Sequence, residues 1–301
     1  MTIYENIGAN RRNTWLLMFL FIALVVVVVE IIALALGGGS YIALIVGFVV
    51  GVIFVIIGYY AASSLVLGIS QAKEVKHDEN PDLYHIVENL CIGAGLPMPK
   101  IYIIEDTAPN AFATGRDPQH AVVVVTSGLL QKLDKQELEG VIAHELSHIK
   151  NYDIRLMTVV VVLVGLVALL ADFMLRFTWF GAGRRTSNRG RGEGMAGAAI
   201  LLVAIIAAIL APIAAQLIRL AISRSREYLA DSSGALLTRY PEGLARALEK
   251  ISSDTEPLEV ANKATAHLYI TNPLKGHESW ANNLFSTHPP VEERICRLRA
   301  M

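Results

Sequence analysis

Little in this chain belongs to a disulfide-built or nucleic-acid-binding protein. Its 301 residues include two cysteines, Cys91 and Cys296. Neither sits in a CxxC pair, which argues against a disulfide framework and against cysteine zinc ligands. The formal net charge is −1, so no bulk basic surface exists to attract a phosphate backbone, and no nucleic-acid partner is expected. No internal repeat is visible. No cleavable signal peptide is expected either. The first apolar run follows Arg11-Arg12 and reaches from Trp15 to about Leu36, longer than a signal-peptide core and without a clear cleavage site. It reads as a retained signal anchor. Polar residues are scarce as well: 53% of the chain is hydrophobic and its mean hydropathy is +0.47. That is too apolar for an ordinary soluble enzyme, and a membrane protein is expected.

Four apolar runs organise the chain. Trp15 to Leu36 and Tyr41 to Ala62 are separated only by Gly37-Gly38-Gly39-Ser40, which predicts a tight helical hairpin. Each run is long enough to cross a hydrocarbon core of about 30 Å. The third runs from Ile154 to Leu175 and the fourth from Met195 to Leu220. Between them lies a polar, glycine-containing loop, Arg184-Arg185-Thr186-Ser187-Asn188-Arg189-Gly190-Arg191. Arg11, Arg12, Lys73, Lys76, Lys150, Arg155, Arg219, Arg224 and Arg226 all flank one side if all four runs cross, and that side would be cytoplasmic. The arginines between the third and fourth runs break this rule, so those two runs either cross against the bias or form a shallow hairpin. His144 and Glu227 share a side in both cases. Glu30 lies inside the first span, as a functional candidate or as a carboxylate that snorkels toward the glycine turn.

The domain organisation expected is a transmembrane hairpin over 1–62, a first catalytic part over 63–153, a second apolar hairpin over 154–220 and a second catalytic part over 221–301. The two polar stretches together suffice for one domain. Lys100 to Glu105 and His120 to Thr126 are short β-branched runs that predict two strands of a small sheet. Asn110 to Gly115 between them predicts a third, edge-like strand, and Pro81 to Ala94 and Pro241 to Ser252 predict helices.

The most informative feature is His144-Glu145-Leu146-Ser147-His148. On a helix, positions i and i+4 share a face. Two imidazoles so placed can grip one Zn²⁺, with the intervening carboxylate acting on a water beside it. Asp134 is placed as N-cap of that helix, with Glu137 as its capping-box partner. A zinc peptidase needs a third protein ligand, and the best candidate is Glu227 in Arg224-Ser225-Arg226-Glu227-Tyr228-Leu229-Ala230-Asp231. The rival reading of Glu227 is a surface carboxylate paired with Arg224 or Arg226. Asp231, four residues on, can hydrogen-bond the outer nitrogen of a ligating histidine. Asp153 reads equally as a helix-end or packing contact and as such an outer partner. The edge strand, through Asn110, Ala111 and Phe112, could pair with an extended substrate backbone, or be an ordinary edge. His77, His85, His120, His267 and His277 are scattered and read as solvated.

Taken together, His144 to Asp153, Ser223 to Asp231, Asn110 to Gly115 and Ser286-Thr287-His288-Pro289-Pro290-Val291-Glu292-Glu293-Arg294-Ile295 closely resemble the HtpX-type membrane metallopeptidases. These are gluzincin relatives of the CAAX prenyl endopeptidases, and the resemblance covers nearly the whole chain. It implies one zinc per chain held by His144, His148 and Glu227, with Glu145 as catalytic base. It also implies a cytosolic active site at the inner face of the cell membrane, and a quality-control or stress-response role in cutting damaged or misfolded membrane proteins. Peptide hydrolysis needs a donor for its developing oxyanion. His288 and Arg294 are the candidates, because in the relatives this C-terminal motif approaches the active site. The alternative is that the Thr287–Pro290 stretch caps a final helix and His288 only packs.

The expected fold is therefore an integral membrane α-helical protein carrying an α+β zincin-like metallopeptidase domain, a small sheet plus the HExxH helix. The expected partners are protein or peptide substrates, membrane proteins among them, and the lipid bilayer; the oligomeric state is left open. Two other readings stand beside a quality-control endopeptidase. One is a narrow-substrate processing peptidase of the CAAX kind, for whose larger ring of spans four runs are few. The other is a non-catalytic zinc-binding membrane adaptor, which would have no need of Glu145.

Overall fold

A computed structural model describes residues 3–35, 41–183, 223–262, 264–274 and 289–301. The fourth apolar run, the arginine-rich loop, His277 and His288 lie outside the described residues. Two long apolar helices open the chain, α1 (Ile3–Ala35) and α2 (Tyr41–Ile69). Both are long and apolar enough to cross a membrane. They pack as a pair, with Gly47 and Gly51 of α2 giving Val26 and Ile22 of α1 room to approach. Trp15, Phe19, Ile42, Ile45 and Phe48 stay exposed. So much outward apolar surface suits a lipid solvent. The second helix continues past Ala62 to Ile69, so the boundary expected after residue 62 falls inside a helix rather than at its end. The Oε2 of Glu30 is buried and has no hydrogen-bond partner among the described residues.

A four-stranded mixed sheet follows, formed by β1 (Lys73–Glu74), β2 (Lys100–Ile104), β3 (Ala111–Gly115) and β4 (Ala121–Thr126). Its order is β1-β2-β4-β3. β2 and β4 are parallel, and the two outer pairs are antiparallel. The parallel pair needs a crossover, and the chain between β2 and β4 supplies it while laying down β3 as the far edge. Helix α3 (Pro81–Ala94) begins with Asn80 capping the Leu83 N–H and Pro81 in its first turn, and stops at Gly95 in the left-handed region (φ 68°).

A short α4 (Ser127–Lys132) leads to α5 (Lys135–Lys150), which carries the HExxH motif. The chain then turns by 81° into α6 (Asp153–Gly183). Tyr152 makes the corner with φ 59°, a left-handed conformation that L residues rarely hold. The first turns of α6 pack Leu156, Val160 and Leu163 against Leu17, Phe21 and Val25 of α1, giving the membrane hairpin a third helix to lean on. After the undescribed stretch come α7 (Arg224–Thr238), α8 (Pro241–Ser253) and α9 (Val291–Arg299). Val123 and Val125 of the sheet join Ile142 and Leu146 of α5, Leu248 and Ile251 of α8 and Leu298 of α9 in one core. The HExxH helix therefore runs between the sheet and the C-terminal helices.

Candidate metal centre

Local sequence fixes α5 first. Asp134 accepts from the Glu137 N–H at 2.9 Å, while Glu137 reaches back to the Asp134 N–H at 2.8 Å. This reciprocal capping box starts the helix at one defined residue. Glu137 is itself buried and takes the Lys250 ammonium of α8 at 2.6 Å. The helix is then buried almost throughout from Leu138 to Ile149, so its polar motif lies inside the protein.

Two glycines let the C-terminal helices close on it. A Cβ on Gly140 would stand 2.7 Å from the Leu244 backbone nitrogen of α8, and one on Gly234 3.0 Å from the His144 backbone nitrogen. On α7, Glu227, Asp231 and Gly234 recur at i, i+4 and i+7 and share one face. With no side chain at Gly234, that face meets α5 backbone to backbone, and the two carboxylates are set against the histidines.

The resulting geometry is compact. The Nε2 atoms of His144 and His148 are 3.2 Å apart. The Glu227 carboxylate lies 3.8 Å from the first and 3.5 Å from the second. Its burial, at 3% exposure, is incompatible with the surface-carboxylate alternative for Glu227. On the outer side of each ring, Nδ1 meets a carboxylate at 2.9 Å: Asp231 for His144 and Asp153 for His148. Such partners fix the ring orientation and leave Nε2 facing the site. Zinc bonds of about 2.0–2.2 Å in a tetrahedral site place neighbouring donors roughly 3.3–3.5 Å apart. The three donor atoms, all within 4.8 Å of one another, fit such an ion.

The electrostatics follow from burial and from these partners. Burial pushes the Glu145 carboxyl up to about 7, with the Glu227 charge adding to it and His148, Arg294 and the Ala113 N–H opposing it. Burial alone would lower the His148 imidazole, but Asp153 and Glu227 outweigh it and hold it up at about 9. The His144 imidazole is lowered, because burial there exceeds the pull of Asp231. Burial would raise Asp231, yet Arg294 beside it keeps that carboxyl below its ordinary value.

Arg294, a candidate oxyanion donor, has its guanidinium engaged by other groups. Its guanidinium is fully buried and grips Asp231 with two bonds, Nε to Oδ2 at 2.8 Å and Nη2 to Oδ1 at 2.7 Å. Nη1 donates to the Ile270 carbonyl at 2.9 Å and lies 3.7 Å from Glu227. Arg294 thus holds the carboxylates of α7.

The edge strand also differs from expectation in which backbone it offers. Asn110, Ala111 and Phe112 are buried at 2%, 1% and 0% exposure. The Ala111 carbonyl, which points away from β4, already accepts from the Ile270 N–H at 2.9 Å. Phe112 packs edge-on against Tyr269 and points its backbone at Val124. The backbone that turns outward at the motif is that of Ala113, whose N–H reaches Glu145. His267, read as solvated, is buried at 1% exposure with Nε2 3.3 Å from the Met157 carbonyl of α6. Asp153 and Asn10 are the members of the site's surroundings that sequence reasoning left open or missed. Asn10 Nδ2 donates to Asp153 Oδ1 at 2.6 Å.

A paired-histidine helix, a converging carboxylate and a buried glutamate with a raised pKa define a metallopeptidase-like centre. The model of peptidase family M48 matches residues 77–301. A protein described as a protease HtpX homolog from Dictyoglomus thermophilum is 50% identical, over 100% of this chain and 95% of its own length. Another so described, from Ligilactobacillus salivarius, is 44% identical over 99% of this chain and 100% of its own length. The crystal structure of S. mikatae Ste24p is similar at 19% identity and a TM-score of 0.48, covering 92% of this chain, which spans only 62% of that one. The chain belongs to peptidase family M48. It is a membrane-embedded peptidase with a candidate metal site.

Proposed function

We propose that this chain is a zinc-dependent endopeptidase of the cell membrane, with its active site at the cytoplasmic face, that cuts misfolded or damaged membrane proteins. The observation that carries the chemistry is the convergence of His144, His148 and Glu227 beside the buried Glu145. A zinc ion held by these three would supply Lewis acidity, lowering the pKa of a water and polarising the scissile carbonyl. Glu145 is the base. Its carboxyl, pushed up to about 7 by burial, can take a proton from water near neutral pH and hand it to the leaving amine. Asp231 and Asp153 orient the two imidazoles, and Arg294 acts through Asp231 and Glu227. His288, just before α9 in the sequence, is our candidate oxyanion donor, supported by the reach of that same helix into the site through Arg294.

Substrate would pair as an extended strand with β3 at Ala113 and beyond, where the backbone faces Glu145, rather than at Asn110 to Phe112. Backbone pairing gives affinity with little side-chain selectivity, which suits damaged proteins of varied sequence. Arg11 and Arg12 on α1, Lys73 and Lys76 after α2, and Lys150 and Arg155 at the corner all lie toward the peptidase end of the helices. The positive-inside tendency supports a multi-pass chain with that end in the cytoplasm. The catalytic unit then joins two stretches, one from the end of α2 at Ile69 to residue 153 and the other 221–301, around the apolar segment 154–220.

The test is to purify the chain and Glu145→Gln in detergent under chelator, add Zn²⁺, and follow cleavage of an unfolded protein and of the chain itself. Zinc-dependent cleavage lost in the variant, with zinc still bound, is the expected result. Equal cleavage by both forms would remove Glu145 from the role of base. Stoichiometric zinc with no cleavage by either form would shift the substrate class to a narrow processing target.

A further inference from the structure

The two histidines have outer partners of different origin. Asp231 comes from α7, which packs along α5. Asp153 comes from the far side of the 81° corner, so its distance from His148 is set by that corner and not by a continuous helix. The corner is clamped from outside. Asn10 of the N-terminal membrane helix is 1% exposed. Its Nδ2 donates to the Asn151 carbonyl at the end of α5 (3.0 Å) and to Asp153 Oδ1 at the start of α6 (2.6 Å). Both amide protons are thereby used, one on each side of the bend. The second oxygen of Asp153 meets His148 Nδ1 at 2.9 Å. Arg11, the next residue, lays its guanidinium over the Tyr152 ring at 4.4 Å, and Arg155 covers the same ring at 5.0 Å. Arg226 stands 3.6 Å from Asp153 Oδ1, too far to replace the amide bond.

A buried primary amide is costly unless its donors are paired. An apolar side chain would suit plain packing of α1 against α6 better. The pairing that Asn10 makes is specific to the carboxylate that orients His148. We propose that Asn10 is a positioning residue for the metal ligand His148, acting through Asp153, so that the N-terminal membrane helix is part of the support of the metal site. This rests on the reading of His148 as a ligand.

The experiment uses the full chain in detergent, as parent, Asn10→Leu, Asp153→Ala and the double variant, with Zn²⁺ affinity measured by competition against a chromophoric chelator. Co²⁺ absorption bands report ligand geometry alongside. Leu keeps the branched shape of Asn10, with bulkier methyl ends, and removes its donors; Asn10→Ala is the second variant if Leu overpacks. Loss of an outer partner weakens metal binding by roughly 10–100-fold, and Asn10→Leu should fall near the lower end, about tenfold, with altered Co²⁺ bands. In the Asp153→Ala background it should cost less than about twofold, because the route through Asp153 is gone. The inference is overturned if Asn10→Leu binds zinc like the parent. It is equally overturned if the loss is as large without Asp153, or if neither Asn10 variant folds. A folded parent that binds no zinc would instead sink the reading of His148 as a ligand.

Discussion

Replacing Arg294 by methionine tests whether α9 is held by the site or merely packs beside it. The guanidinium is fully buried, makes two bonds to Asp231 and one to the Ile270 carbonyl, and faces Glu227 at 3.7 Å. At that separation, and at an effective dielectric of about 20, the gross attraction to Glu227 alone is roughly 4–5 kcal/mol. Much of it offsets the cost of burying the ions. Removing one partner restores none of that cost and leaves Asp231, Glu227 and Glu145 close together with His148 as the nearest cation. Breaking a buried pair in this way costs about 3–5 kcal/mol. For a chain of 301 residues each kcal/mol moves the unfolding midpoint by about 1.5–2 °C. The metal-free Arg294→Met protein should therefore unfold about 5–10 °C below the parent. The assay is thermal unfolding in detergent under chelator, at one scan rate for all forms because membrane proteins often unfold irreversibly.

The sign of the pH dependence follows from Asp231. Its carboxyl lies below the usual value in the parent because Arg294 outweighs burial. Such a group adds stability above its unfolded pKa and loses it as pH falls through the folded value. Without Arg294, burial is opposed only by the His144 imidazole and the carboxyl rises from its value in the parent, so protonation can relieve the variant on moving from pH 8 toward pH 5 while the parent stays ionised. The gap between the two midpoints should narrow over that range. Replacing both partners, Arg294→Met with Asp231→Leu, should recover part of the loss, since the carboxylate that Arg294 grips most closely is then no longer buried without it, although Glu227 keeps only His148 beside it. An Arg294→Met protein within about 1 kcal/mol of the parent at pH 8, or a gap that widens toward pH 5, would refute the reasoning.

Gly234→Val should separate α7 from α5, because even a Cβ there lies 3.0 Å from the His144 nitrogen and 3.2 Å from the Ala143 carbonyl carbon. Chelator competition should show zinc affinity down at least about tenfold, and thermal unfolding should show Gly234→Ala costing about 1–3 kcal/mol. Zinc binding should release protons: with His148 held up at about 9, the metal-free protein at pH 7.5 carries a proton there that ligation must expel. Calorimetry in buffers of different ionisation enthalpy should find about one proton per zinc. The same shift, from 6.5 up to about 9, means that His148 stabilises the metal-free fold fully below pH 6.5 and loses that contribution as pH rises through 9. Chelator-treated protein should accordingly unfold at lower temperature at pH 9 than at pH 6.5.

The elements that announce themselves in the sequence are those whose cause is local. The capping box at Asp134 and Glu137, the proline starts of α3 and α8, and the β-branched runs of β2 and β4 each carry their signal within a few residues. The HExxH spacing and the Glu227–Asp231 pair share this property, because a helix fixes both. What escaped has distant causes. β1 is two exposed residues, Lys73 and Glu74, that are a strand only because Tyr102 and Ile103 pair with them. All five residues of β3 are buried, so no alternation of side chains reveals which backbone groups face outward. The offset from Asn110–Phe112 to Ala113 follows from hydrogen bonding to β4 and Ile270. His267 is buried by the Met157 carbonyl, far away in sequence.

Asp153 marks where local reasoning stops and what replaces it. Five residues beyond His148, on an uninterrupted helix, its side chain would point about 140° away from the imidazole. It reaches His148 because the helix breaks at Tyr152 and turns by 81°. That same turn carries the chain into an apolar helix that packs on α1, and α1 returns Asn10 to both sides of the break. One corner therefore directs α6 toward the membrane helices and supplies the partner of a candidate ligand. The stretch that matches the family, 77–301, leaves out α1 and α2 entirely. As a physical unit, however, the peptidase site includes Asn10, because without it the buried oxygen of Asp153 loses a bond that Arg226 is too far away to supply. A peptidase unit cut to the matched stretch would keep the residues of the motif and lose one of the contacts that orient them.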